Sequence, residues 1–332
     1  MKLTKPGYFD RFRCLAGDCP DSCCKEWEVQ VDAEAAARYQ NLSGALGEDL
    51  RRAMRVEDGD VYISISNGRC PMWQENGLCR IQAELGEAAL CKTCRDFPRL
   101  THDYGDFVEL GLELSCPEAA RLILEGNETF LTEEAPGGRE PEYDVEAMTL
   151  LKASRERALA LLKDPCRPIG EALALVLLYG CQVQGELDGG ETAEFDPEAA
   201  LETAREMAQP GNMEEVVSLF QALEILTDAW QERLKAPQPG DWDERTRILA
   251  RYFVGRYWLQ AVADYDLYSR VKFMVTACLL LRHLGGDFPK TSQLFSKEIE
   301  NDADNIDTLL DAAYSHPAFT DAKLLGMLLA EI

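Results

Sequence analysis

Apolar residues recur along this chain at two periods, and the change of period divides it. Past residue 144 they return at three- and four-residue steps, the period of an amphipathic helix. In "NMEEVVSLFQALEILTDAWQERLK" Val216, Leu219, Phe220, Leu223, Leu226, Trp230 and Leu234 fall on one face, which predicts one helix, ended by "PQPGD". "ERTRILARYFVGRYWLQAVA", "LYSRVKFMVTACLLLRHL" and "DAKLLGMLLAEI" continue the helical pattern. Before residue 130 the segments are shorter and mixed. "DVYISIS" (60–66) and "DFVELGLELS" (106–115) alternate and carry β-branched residues, so they predict strands. "VDAEAAARYQ" predicts a helix with Asp32 as N-cap, "GEDLRRAMRV" another and "CRIQAELGEAAL" a third. "SCPEAARLILEG" places Pro117 in a first helical turn and ends near Gly126.

"TEEAPGGREPEYD" (132–144), with two prolines, two glycines and a charge run, reads as a linker. The expectation is a mainly α protein: a Cys-rich, metal-binding region with a small β element over residues 1–130, a linker over 131–143, and an α-helical bundle over 144–332. There is no internal repeat and no low-complexity tract.

Charge narrows the partners. Of 332 residues, 34 are Lys or Arg and 59 Asp or Glu, a formal charge of −25. Such a surface repels phosphate backbones and anionic headgroups, so neither nucleic acid nor membrane is expected as a partner. A basic protein substrate fits better, although solubility accounts for most of the acid. "MKLTKPGYFDRF" lacks the apolar core of a signal peptide, and "LALVLLYG" is far shorter than the roughly 20 residues that span a bilayer. These features lead to the expectation of a cytoplasmic protein whose thiols stay reduced.

That matters because the chain holds twelve cysteines, nine of them between Cys14 and Cys116. Cys14, Cys19, Cys23 and Cys24 crowd into "FRCLAGDCPDSCCKEW"; Cys70 and Cys79 lie in "GRCPMWQENGLCRIQ"; Cys91 and Cys94 form a CxxC in "LCKTCRDFPRL"; Cys116 stands in "LSCPEAAR". Short-spaced thiolates are what Zn²⁺ and iron–sulfur irons require. A tetrahedral zinc site usually draws on two CxxC-like pairs. Only one strict pair is present, so the irregular spacings suit a cluster of several irons better, with zinc as the alternative. "CPDSC" has the first spacing of a CxxxCxxC radical S-adenosylmethionine motif, but Glu26 stands where the third cysteine would be. Cys166, Cys181 and Cys278, each alone in a helical segment, read as small buried hydrophobes.

Taken together, "PGYFDRFRC", "SCCKEWEVQVD", "GRCPMW", "GLCRIQ", "CRDFPR" and "SCPEAAR" resemble the bacterial flagellin lysine N-methylase family, within a wider group of zinc- or iron-chelating proteins named for a CxxCxxCC motif. The likeness is dense over residues 6–125; beyond them only "RYFVGRYWL" and the helix after it share it. The resemblance implies a protein-lysine N-methyltransferase that modifies flagellin with S-adenosylmethionine and carries a [4Fe-4S] cluster. The positions matching the family's motifs are Cys14, Cys19, Cys23, Cys24, Cys70, Cys79, Cys94 and Cys116, with Cys91 beside them. The first spacings here are x4 and x3, against x2 and x2 in the wider group. The competing expectation is a non-enzymatic zinc- or iron-binding module whose metal is structural or redox-sensing.

No Gly-rich strand-to-helix fingerprint locates a cofactor pocket; "GELDGGE" lies in an acidic loop. The stretch 251–270 gathers Tyr252, Phe253, Tyr257, Trp258, Tyr265 and Tyr268 with Arg251, Arg256 and Arg270. A bundle core is the commoner use of such a helix, while Arg256 and Tyr257 are the candidates for binding S-adenosylmethionine. His102, His283 and His316 are dispersed, and His102 reads as a loop residue. Arg95 and Arg99 flank the CxxC, where they would offset thiolate charge. Cys116 is placed at a helix N-terminus, whose dipole favours a thiolate.

Overall fold

The computed structural model describes residues 1–126 and 129–330; the last two residues of "DAKLLGMLLAEI" lie outside them. The described chain is mainly α, with two small sheets near its start. β1 (Lys2–Pro6), β5 (Arg99–Asp103), β6 (Phe107–Leu112) and β7 (Phe130–Glu134) form one sheet in the order β5-β6-β1-β7. β1 runs parallel to β6 and antiparallel to β7. β2 (Val29–Val31), β4 (Asp60–Ile63) and β3 (Met54–Glu57) form an antiparallel sheet with β4 in the middle.

The Asp32 cap is present, its carboxylate accepting the Ala35 amide at 3.0 Å. "GEDLRRAMRV" departs from a helix at its end: the helix is Gly44–Ala53, and Met54 begins β3. Asp58 and Gly59 both take positive φ, the two-residue turn that closes a hairpin onto Asp60, so the preceding residues pair with β4. "TEEAPGGREPEYD" contributes Thr132 to Glu134 to β7 before the chain leaves the sheet. Cys116 precedes the helix Pro117–Leu124, with Pro117 at its start.

In the bundle the helix Tyr268–Leu284 is buried around most of its circumference. It packs against Ile169–Leu187, Arg245–Tyr257, Met213–Ala222 and Ala303–Ser315. The helix predicted over 212–235 is two, Met213–Ala222 and Asp228–Lys235. The break is held by side chains remote in sequence. Asn305 Oδ1 accepts the Glu224 amide at 3.0 Å, and Glu298 accepts the Leu226 amide at 2.8 Å as well as the Thr227 hydroxyl. Backbone groups freed from the helix are thereby satisfied inside the core.

Two apolar cores result. The larger joins the bundle to Tyr8, Phe12, Phe107, Leu112, Leu114, Cys116 and the helix Pro117–Leu124. The smaller runs from Val29 to Cys91 and includes Tyr39, Leu50, Ile63, Met72 and Ile81. Residues of both line one cavity.

Candidate metal centre

That cavity, about 320 Å³, is lined by nine cysteines: Cys14, Cys19, Cys23, Cys24, Cys70, Cys79, Cys91, Cys94 and Cys116. Local structure brings each one there. The loop bearing Cys14 to Cys24 lies against the loop bearing Cys70 and Cys79. The Cys70 amide donates to the Cys24 carbonyl at 2.8 Å, and Lys25 and Arg69 form an antiparallel bridge. The loops touch at glycines: a Cβ on Gly77 would stand 2.9 Å from the Gly17 Cα, and one on Gly17 2.9 Å from the Asn76 carbonyl oxygen. Gly77 also takes a positive φ, so glycine is required there on both counts.

The CxxC is held by Asp32. Its second carboxylate oxygen accepts the Lys92 amide at 2.6 Å, at the start of the short helix Lys92–Asp96 that follows Cys91. Those backbone donors keep the Asp32 carboxyl below its ordinary range. Thr93 donates to the Gln30 carbonyl at 2.9 Å, and Tyr39 donates to the Ala89 carbonyl at 2.8 Å.

The thiols approach in twos. Cys23 and Cys24 share a side-chain hydrogen bond, and so do Cys91 and Cys94. In each pair the accepting thiol, Cys24 or Cys91, is lowered and its donor raised. Burial pushes Cys70 up to about 12 and Cys116 to about 11, and raises Cys19 and Cys79. The Cys116 helix end does not outweigh that desolvation. Among the described residues no three His, Cys, Asp or Glu side chains gather closely enough to hold one ion.

The donor set nonetheless fits a thiophilic metal group. No histidine lines the cavity, and Arg13, Arg95, Arg99 and Lys297 bring positive charge to its wall. Loading it with a metal must release the protons that burial holds on the thiols. Lys297, the contribution of the bundle, lies on a π-helical turn Ser296–Glu300 with its side chain 2% exposed. Its ammonium stands 3.0 Å from both Asp21 carboxylate oxygens and pairs with Glu26. Gln293 adds a bond to Asp21 at 3.0 Å. Lys297, Gln293, Asp21 and Glu26 were not among the sequence-derived candidates, and only the nearness of Asp21 and Glu26 to Cys23 and Cys24 could have drawn attention to them.

Tyr257 belongs to the larger core, and Arg256 lies beside it, half-buried. Tyr257 donates to Glu300 Oε1 at 2.7 Å, Arg256 Nε stands 3.5 Å from the same oxygen, and Arg256 donates to the Tyr252 hydroxyl at 2.8 Å. Their neighbours Tyr265 and Arg270 line a different cavity of about 700 Å³ with His102, Tyr104 and Tyr143. His102 is on β5, not in a loop, and burial lowers its pKa. Cys278 is buried as expected. Cys166 and Cys181 are exposed, because Cys166 falls in the turn after one helix and Cys181 on an outer helix face.

The site thus defines a thiol-rich class of protein, with nine cysteines around one cavity. Within that class, the chain is 33% identical over 131 residues to the flagellar biosynthetic protein FliU of Salmonella muenchen, covering 37% of this chain and 78% of that one. It is likewise 33% identical over 131 residues to a lysine-N-methylase of Salmonella typhimurium, and 32% identical to one of Salmonella choleraesuis, covering 37% of this chain and 33% of each relative. The chain belongs to the family of the flagellar biosynthetic protein FliU. The match spans about a third of the length of the two lysine-N-methylases. No family model matches the chain. No solved structure matches it. No helix among the described residues is long and apolar enough to cross a membrane.

Proposed function

We propose that this protein takes part in the N-methylation of protein lysines, with flagellin as the substrate and S-adenosylmethionine as the methyl donor, and that its thiol cavity holds an iron–sulfur centre. The observation that carries the reading is the convergence of nine cysteines from four separate segments on one cavity, in a chain whose relatives are named lysine-N-methylases. The centre would be held by thiolates drawn from Cys14, Cys19, Cys23, Cys24, Cys70, Cys79, Cys91, Cys94 and Cys116. When bound it supplies a soft, redox-capable Lewis-acidic group at the cavity.

The chain's own residues bear the rest. Methyl transfer from a sulfonium requires a neutral amine aligned with the methyl, so the site must desolvate the incoming lysine and accept its proton. The chain's charge of −25 attracts a lysine-bearing segment before that step. Lys297 neutralises Asp21 and Glu26 beside Cys23 and Cys24, fixing the loop that forms one wall. Arg256 and Tyr257 remain candidates for the cofactor's carboxylate and adenine, and their present engagement with Glu300 makes calorimetry on folded variants the way to judge them.

The test is transfer of labelled methyl from S-adenosylmethionine to purified flagellin by anaerobically prepared protein, with iron and acid-labile sulfide measured on the same sample. Labelled lysine together with stoichiometric iron and sulfide supports the reading. Bound metal with no transfer leaves the non-enzymatic module in its place.

A further inference from the structure

We propose that the second cavity, of about 700 Å³ beside β5, seats a lysine ammonium of the protein substrate; this rests on the lysine-methylation part of the preceding reading. Three segments wall it. β5 brings His102 and Asp103, the stretch before the helix Val145–Lys163 brings Glu142, Tyr143 and Asp144, and the turn before Tyr268–Leu284 brings Tyr265.

Its charges leave room for a cation. Both guanidiniums on the wall are engaged, Arg139 with Asp103 at 2.8 Å and Arg270 with Asp264 at 2.7 Å. His102 adds no positive charge, because burial disfavours its charged form, and its Nε2 has no partner among the described residues. Asp144 spends one oxygen on the amides of Glu146 and Ala147 and the other on the Tyr265 hydroxyl, at 3.1 Å. The Glu142 carboxylate forms no ion pair among the described residues and feels only the longer-range pull of Arg139. Three carboxylates therefore face two guanidiniums, and one carboxylate is uncompensated. A phosphate or carboxylate ligand would first have to draw a guanidinium from its partner.

The rest of the wall is aromatic. Tyr104 stacks on Phe107 at 4.6 Å between ring centres and meets Tyr143 edge-on at 6.3 Å. Such ring faces attract an ammonium, and this cluster already holds one: Lys152 Nζ stands 3.4 Å from the Phe107 ring centre. Tyr265 takes a φ of 61°, which a bulky side chain rarely adopts, and stays 44% exposed with its hydroxyl on Asp144. β5 ties the cavity to the thiols. Arg99 at its start lines the thiol cavity, and His102, about 10 Å further along the strand, lines this one. A lysine seated here is presented beside the thiol centre.

The test is titration of the full-length protein, without S-adenosylmethionine, by N-acetyl-lysine methylamide and by its norleucine counterpart, which lacks the ammonium. Ligand-observed NMR gives the dissociation constants. The lysine compound should bind and the norleucine compound should not. Tyr265→Asn, whose side chain tolerates the positive φ, should weaken binding roughly two- to fivefold, while Tyr265→Phe retains it. Glu142→Gln should weaken it by up to about fivefold. Both positions are exposed, and circular dichroism confirms that the variants fold. Equal binding of the norleucine compound overturns the proposal, and so does unchanged affinity in both Tyr265→Asn and Glu142→Gln. Binding of S-adenosylmethionine that these variants abolish, with none of the lysine compound, gives the cavity to the cofactor and likewise overturns it. Methyl transfer to flagellin that persists without lysine binding here defeats this inference alone. Lysine binding without transfer leaves the cavity's role standing and defeats the enzymatic reading.

Discussion

Lys297 reaches across from the bundle to hold Asp21, its ammonium 3.0 Å from both carboxylate oxygens. The pair joins a helical turn near the end of the chain to the loop between Cys19 and Cys23. A lysine on a π-helical turn and an acidic loop so far apart in sequence meet only if the two cores are docked. The Lys297 side chain also stands over the Trp27 ring, 5.3 Å from its centre.

Replacing Lys297 with methionine should loosen that docking. Asp21 and Glu26 keep partial solvent access, so the loss is smaller than for a fully enclosed pair, about 2 kcal/mol. The expected outcome is a lower urea midpoint and faster metal loss to a chelator. Unchanged chelation kinetics would show that the loop is held by its own thiol contacts alone.

A second ion pair lies against the larger core, beside Tyr257. The Glu300 side chain is 0% exposed and that of Arg256 11%. Changing Glu300 to alanine strands the guanidinium and should cost about 3–5 kcal/mol. Tyr257→Phe removes one hydrogen bond to a charged group, about 1.5–3 kcal/mol. Thermal unfolding measures both. If S-adenosylmethionine affinity also falls in folded Tyr257→Phe while metal content stays constant, this cluster serves the cofactor as well as the core.

Glu298 gives the protein a pH dependence of a defined sign. Burial raises its carboxyl above the ordinary value of 4.5, although the Thr227 hydroxyl and the Leu226 amide oppose the shift. The folded state then binds the proton more tightly than the unfolded chain. This contribution is fully present below 4.5 and is lost as pH rises through the folded value. Glu113, also raised by burial, acts with the same sign. Denaturant midpoints followed upward from pH 4 should show a decline that Glu298→Gln flattens; an equal slope in wild type and variant would remove Glu298 as its source.

Much of this was legible from short-range signals. The Asp32 cap, the Pro117 helix start and the β6 alternation are local, and each appears where the pattern placed it. The strands β1, β5 and β7 carry weak alternation and exist because they pair with residues far away, so no window of sequence displays them. The same reason accounts for the broken helix near Leu223: its apolar face is continuous, and the break depends on Glu298 and Asn305. The thiols were legible as a set because chemistry marks them, and Cys91 joined the others once the fold closed. Lys297 was not, since one lysine in a helical segment has no signature until its partners arrive.

Removal of the metal should act unequally on the two cores. The smaller has thirteen buried residues, two of them Cys70 and Cys91, with Cys24, Cys79 and Cys94 packed at its edge. A core of that size is marginal without a staple, and a bound metal group supplies one. The larger core contains no thiol of the cavity except Cys116 and is built from long helices and large aromatics such as Trp230, Trp258, Phe253 and Phe295. Stripping metal under reducing conditions should therefore leave most far-ultraviolet helical signal intact. Amide hydrogen exchange should accelerate over β2, β3, β4 and the segment around Cys70 to Cys94, while Tyr268–Leu284 stays protected. Uniform acceleration across both cores would mean that the docking through Lys297 makes them one cooperative unit, and protection unchanged in both would mean that the thiols carry no metal that matters to the fold.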